Sequence, residues 1–205
     1  MPLLSIDKNE TVTLLLWELN EDIDFFKTMV PENIFSYIAE NNRLEKRKLE
    51  KLSQVVLLAS AGIDYSKLYY NPNGKPLLQL NEMISFSHSG DYSALLICKE
   101  NCGLDLELAS DKIIRISNKF INESEASLIK TEENIYWAWT IKEAVFKYFG
   151  EAVLFKDHIK IVSIQAKQNK ALVHYDGFHG IGEFELKIQR IKNYYLAYTK
   201  KYTPQ

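Results

Sequence analysis

Apolar and polar positions along this 205-residue chain change their period several times, and each change predicts an element. Residues 11–19, Thr-Val-Thr-Leu-Leu-Leu-Trp-Glu-Leu, are β-branched at first and then continuously apolar, which predicts a buried strand. From 23 to 61 the apolar positions move to three- and four-residue steps, interrupted at Pro31. Leu44, Leu49, Leu52, Val55, Val56 and Ala59 then line one helical stripe. Asn71-Pro72-Asn73-Gly74 is a turn signal. Residues 83–86 and 92–98 read as strands flanking a turn over Ser87-His88-Ser89-Gly90-Asp91. A short strand over 103–107 follows, then helical stretches near 111–119 and 123–130. A stronger helix over 134–149 is stopped by Gly150. Strands are expected at 159–164, 171–175, 182–191 and 194–199, with Asp176-Gly177 as a turn between the second and third.

The order is strand, helices, strands, and then the same again. It predicts an α+β fold of two similar α/β halves, 1–101 and 102–205, related by pseudo-twofold symmetry. Tyr92-Ser-Ala-Leu-Leu-Ile and Tyr194-Tyr-Leu-Ala-Tyr-Thr are candidates for matching last strands. No low-complexity linker separates the halves, so close packing is expected. A hydrophobic fraction of 46% supports a sizeable core, and a net charge of -2 provides no basic field for nucleic acid. The first residues lack a positively charged segment followed by a long apolar one, and the early apolar run is too short to span a bilayer. A soluble cytoplasmic protein without membrane contact is therefore expected. Cys98 and Cys102 have no second cysteine pair or nearby histidine, so reduced structural thiols are expected.

Candidate chemistry sits in two short segments. In Gly103-Leu104-Asp105-Leu106-Glu107 the two carboxylates are two residues apart, so a strand projects both from one face. In Trp139-Thr140-Ile141-Lys142-Glu143-Ala144-Val145-Phe146-Lys147, the residues Trp139, Glu143 and Lys147 are four apart and share one helix face. If the faces meet, three carboxylates meet one ammonium. That set can hold a hard divalent cation beside a proton-transfer group, as phosphoryl chemistry requires. Taken singly, Glu143 and Lys147 would be an ordinary surface ion pair, and Asp105 and Glu107 a solvated strand face.

Together with Gly74-Lys75-Pro76 and Phe86-Ser87-His88-Ser89, these segments occur in an order and spacing that resemble the 4'-phosphopantetheinyl transferases. The likeness is to the longer, two-halved type rather than the short trimeric carrier-protein synthases. The motifs span 74 to 147, and the stretch Phe120-Ile-Asn-Glu-Ser-Glu extends the likeness. The resemblance implies transfer of phosphopantetheine from coenzyme A to a serine of an apo acyl or peptidyl carrier protein, with coenzyme A in the cleft between the halves. It implies that Asp105, Glu107 and Glu143 hold Mg²⁺ at the pyrophosphate. Glu143 would take the serine proton directly or through a water on the metal, and Lys147 would stabilise the developing charge or protonate the leaving group. Lys75 would contact phosphate oxygens, Ser87 and His88 the ligand's phosphate groups, with His88 on the 3'-phosphate. Trp139 would pack the helix on the sheet, and Lys142 would be a supporting or solvated residue.

The family's first long helix carries basic residues for the nucleotide end. Here that helix offers Arg43, Lys46, Arg47, Lys48 and Lys51, with Gln54-Val55 where a basic or hydroxyl residue is expected. Because Glu45 and Glu50 interleave them, a solvated helix face is the competing reading. Lys112, Arg115 and Lys119 follow helical spacing and are candidates for meeting an acidic carrier helix. His174, Asp176 and His179 fit a hairpin tip as well as a second metal site, and Tyr65, Tyr69 and Tyr70 fit packing. The competing functions are a non-catalytic binder of coenzyme A or a carrier protein, and another Mg²⁺-dependent phosphoryl-transfer enzyme. With two fused halves, a monomer is sufficient.

Overall fold

The structure, a computed structural model, describes residues 3–8 and 11–205, with side chains from Thr11 onward. Met1 and Pro2, part of the N-terminal segment considered above, lie outside the described residues. The chain divides into two compact units. One comprises the residues up to Tyr70 together with Pro76–Glu100, the other Asn71–Lys75 together with Asn101–Gln205. The loop Asn71–Lys75 thus groups with the C-terminal unit rather than with the half in which it lies in sequence.

The first unit contains strands β1 (Leu3–Lys8) and β2 (Val12–Glu18), then helices α1 (Ile23–Lys27), α2 (Glu32–Asn41) and α3 (Glu45–Ser60). Strands β3 (Leu68–Tyr70), β4 (Pro76–Leu78), β5 (Met83–Ser89) and β6 (Tyr92–Cys98) follow. The main sheet is antiparallel in the order β1-β2-β6-β5, and β3 and β4 form a separate two-stranded sheet. Asp22 caps α1 by accepting from the Phe25 N–H. Pro31 stands just before α2, where its missing N–H leaves no helical hydrogen bond unmade. The stripe expected on α3 is corrected at both ends. Leu44 and Ala59 are exposed, whereas Leu57 and Leu58 are buried with Leu52, Val55 and Val56. The helix packs against β2, β6, α1 and α2, so its middle is covered over a wider arc than one stripe. The turn expected over 87–91 is also shorter. β5 runs through Ser89, which makes Ser87 and His88 strand residues, and the turn is Gly90-Asp91 with Gly90 at φ 55°.

The second unit contains β7 (Leu104–Leu108), α4 (Asp111–Arg115), α5 (Glu132–Phe149), α6 (Phe155–His158), β8 (Ile159–Gln165), β9 (Lys170–Gly177), β10 (Gly180–Ile191) and β11 (Tyr194–Pro204). Its antiparallel sheet has the order β7-β11-β10-β9-β8. The helices expected near 111–119 and 123–130 shrink to α4 and two single 3-10 turns, Ser117–Lys119 and Glu123–Glu125. The β-branched residues Ile113, Ile114, Ile116 and Ile121 favour helix poorly, and Asn122 restarts the chain with a capping box to Glu125. The β9–β10 turn falls at Phe178-His179, because pairing continues to Gly177 opposite Gly180. α5 is capped by Thr131, carries Glu132 and Glu133 in its first turn and Lys147 in its last, and ends at Gly150 with φ 83°. Trp137, Ala138, Ile141, Ala144 and Val145 press its inner face into the core.

Each unit places its last strand inside the sheet, beside its penultimate one. β6 lies between β2 and β5, and β11 between β7 and β10. In each, the long helix packs on the first and last of these strands, α3 on β2 and β6, α5 on β7 and β11. Both cysteines are buried and outside any disulfide. Among the described residues no helix is long and apolar enough to cross a membrane.

Candidate active site

The strand β7 and the helix α5 meet because Gly103 lets them. A Cβ at Gly103 would lie 1.9 Å from the Ala144 carbonyl oxygen and 2.5 Å from the Tyr148 backbone nitrogen. The helix backbone therefore rests directly on the start of the strand, an approach open only to glycine. Gly103 is held there by the Thr199 hydroxyl, which accepts its N–H at 3.0 Å.

With the backbones so close, the two polar faces interlock. Lys147 Nζ lies 2.7 Å from Asp105 Oδ1, and Asp105 is only 3% exposed. Trp139 Nε1–H donates to Glu107 Oε1 at 3.2 Å. The Trp139 ring packs on Phe120 and Phe155, with centroids 5.1 and 5.6 Å away. Glu143 lies one turn from each of Trp139 and Lys147 on this face. Burial, and then the Asp105 charge, push its carboxyl up to about 7, against the pull of Lys147 and with a further push from Glu107. Asp105, Glu107, Glu143, Lys147 and Trp139 are thus brought together.

The raised carboxyl has a consequence for stability. The folded protein holds the Glu143 proton more tightly than the unfolded chain, so stability falls as pH rises from about 4.5 to about 7. The full loss is up to about 3 kcal/mol. Thermal melts of Glu143→Gln in EDTA are expected to exceed wild type at pH 8, with the difference fading towards pH 4.5. An equal difference at both pH values would contradict this.

Among the described residues no three His, Cys, Asp or Glu side chains form a ready-made metal cage. The donor chemistry nevertheless fits a hard cation. All three donors are carboxylates, with Asp105 and Glu107 close enough to Glu143 to push its carboxyl up, and Mg²⁺ is commonly held by one or two carboxylates completed by waters and substrate phosphates.

The remaining expected ligand contacts stand on other elements. Lys75 belongs to the C-terminal unit, where its ammonium donates to Asn101 Oδ1 at 2.7 Å and to the Tyr148 carbonyl at the end of α5. Asn101 donates to the same carbonyl at 2.7 Å. A cation at a helix C-terminus is favourable, and burial pushes the Lys75 ammonium below its ordinary range. In the N-terminal unit Ser87 is buried on β5, and His88 Nε2 lies 3.0 Å from Glu50 Oε1. The other Glu50 oxygen accepts from Arg47 Nη1 at 2.9 Å. Glu50 is therefore a buried anchor for two basic groups, and not part of a solvated face. Lys51 bonds Tyr70 and Gln54, whereas Arg43 is exposed.

Other expectations resolve simply. Lys142 is fully buried, which removes the solvated reading and leaves the supporting one. His179 stacks on Phe149, and its Nε2 lies 3.0 Å from the Glu151 carbonyl oxygen, the hairpin-tip reading. Tyr65 packs against the first core, and Tyr69 and Tyr70 are more exposed. Lys112, Arg115 and Lys119 are all exposed. The contacts of Asn101, Glu50 and Glu125 do not follow from spacing. Of these only Glu125 left a local signal, the Asn122-x-x-Glu125 capping pattern.

Residues 101–199 match the family model of the 4'-phosphopantetheinyl transferase superfamily, and they include β7, α5 and the whole carboxylate–lysine cluster. The matched segment makes up most of the C-terminal unit. The chain is also similar to the 4'-phosphopantetheinyl transferase gsp of Aneurinibacillus migulanus, at 26% identity over 131 residues, 58% of this chain and 54% of that protein. The match thus spans about half the length of that relative.

Proposed function

We propose that the protein transfers the 4'-phosphopantetheine group of coenzyme A to a serine hydroxyl of an apo carrier protein, as a transferase of the longer, two-halved type. The observation that supports this most strongly is the meeting of Asp105, Glu107, Glu143 and Lys147 within the superfamily segment. In the reaction the serine Oγ–P bond forms and the P–O bond to the leaving 3',5'-ADP breaks. Asp105, Glu107 and Glu143 would hold Mg²⁺, which when bound neutralises the pyrophosphate and steadies the leaving group.

Glu143 takes the serine proton. Without a metal, burial and the Asp105 charge hold the Glu143 carboxyl near 7; a bound cation would favour its ionised, proton-accepting form. Lys147, fixed by Asp105, presents an ammonium to the phosphate charge as the P–O bond breaks. Trp139 holds Glu107 and keeps the helix face seated on the strand. Ser87, His88 and Lys75 serve the phosphate groups of coenzyme A, with Glu50 orienting His88. The exposed Lys112, Arg115 and Lys119 meet the acidic surface of the carrier.

Equilibrium binding of coenzyme A, with and without Mg²⁺, tests the site. Mg²⁺ is expected to tighten binding at least about tenfold, a difference of about 1.4 kcal/mol, and Asp105→Asn is expected to remove that gain. Equal affinity with and without the metal, unchanged in Asp105→Asn, would contradict the assignment.

A further inference from the structure

On the flank of α5 next to the carboxylate face, a second charged pair takes no part in the transfer chemistry. Lys142 and Glu125 both have side chains 0% exposed, with Nζ 2.8 Å from Oε2. The same ammonium lies 2.7 Å from the Phe120 carbonyl oxygen, 3.0 Å from that of Phe155 and 2.8 Å from that of Ile159. Glu125 in turn accepts the backbone N–H of Ile161 at 2.7 Å and of Asn122 at 2.9 Å. One lysine therefore joins α5 to the 120–125 segment, to α6 and to the first residue of β8.

Stability alone does not account for this arrangement. Burying two charges costs about as much as their attraction returns, and well-packed apolar residues of similar volume are often as stable or more so. Lys142 stands at a core position beside Ala138, Ile141 and Val145, where methionine would pack. Apolar packing, however, has no direction. Four oxygens within 3.0 Å of one nitrogen fix both the rotation of the helix and its position along its axis. Glu143 is the next residue. A rotation of about 10° would move a carboxylate about 6 Å from the helix axis by about 1 Å. A misplacement of that size can cost about a hundredfold in rate.

The pair also connects to the site through shared residues. Phe120 and Phe155 accept from Lys142 with their carbonyls and pack on Trp139 with their rings. Trp139 in turn holds Glu107. We propose that Lys142 and Glu125 are positioning residues that set the rotation of α5, so that Trp139, Glu143 and Lys147 meet β7 in register.

The activity part of the test rests on the transferase reading; the geometric part does not. The variants are Lys142→Met, Glu125→Gln and the two combined, compared with wild type. The readouts are thermal unfolding, the Trp139 indole N–H resonance assigned with Trp139→Phe, and kcat and KM for transfer. The charge-free double variant is expected to regain most of the stability lost in Lys142→Met. Its Trp139 resonance is expected to stay displaced, and its kcat to stay at least about tenfold down with KM for coenzyme A within about threefold. A double variant with wild-type resonance and kcat would overturn the proposal. If the double variant does not fold, Glu125→Gln, which keeps the three carbonyl contacts of Lys142, carries the test, and an unmoved resonance there overturns the proposal too. If wild type transfers nothing, the transferase reading fails, while a displaced resonance still supports the positioning role.

Discussion

Glu143→Ala is expected to lower kcat for phosphopantetheine transfer by at least about a thousandfold while leaving the fold intact. General-base assistance contributes about 10²–10⁴ in rate, and the substitution also removes one of the three carboxylates proposed to hold the metal. Nothing comparable is lost from the core. The carboxyl stands on the polar face of α5, where burial and the Asp105 charge already oppose its ionisation. Above pH 7 the variant is therefore expected to be at least as stable as wild type. Transfer kinetics together with a thermal melt separate this outcome from simple unfolding. A variant that transfers at more than about a tenth of the wild-type rate would remove Glu143 from the chemistry.

Gly103→Ala is expected to be the most damaging single-methyl change in the C-terminal unit. The added Cβ meets backbone at 1.9 Å and 2.5 Å, the Ala144 oxygen and the Tyr148 nitrogen, and neither atom belongs to a side chain that can swing aside. α5 or β7 must shift, and either movement separates Glu143 and Lys147 from Asp105 and Glu107. The expected cost is about 3 kcal/mol, at the upper end for overpacking, read as a lower midpoint of urea unfolding with an unchanged slope. Transfer is expected to fall further than the loss of folded protein explains. A midpoint within about 0.5 kcal/mol of wild type would show that the close approach is not needed.

The carboxylate face was legible because spacing determines which residues share a face. Asp105 and Glu107 two apart, and Trp139, Glu143 and Lys147 four apart, define their faces whatever surrounds them. Spacing does not say which faces are covered. Glu50 and Lys142 look like solvated charges among charges, yet tertiary packing encloses both. For Lys142 a signal existed, since it keeps helical phase with Ala138, Ile141 and Val145. The strand over Ser87 and His88 was hidden by turn-forming residues, and only pairing with β6 reveals it. The isoleucine-rich stretch after Ser110 has apolar positions in helical phase but weak helix formers. The grouping of Asn71–Lys75 with the C-terminal unit depends on Asn73 meeting Glu151 and on Lys75 meeting Tyr148, partners more than seventy residues away.

The measurement that bears most directly on the function is intact-protein mass spectrometry of apo carrier proteins incubated with this protein, coenzyme A and Mg²⁺. A phosphopantetheine mass gain is expected on the carrier serine, lost with EDTA and in Glu143→Ala. A gain that persists in both, or no gain on any of a panel of acyl, peptidyl and aryl carriers, would contradict that expectation.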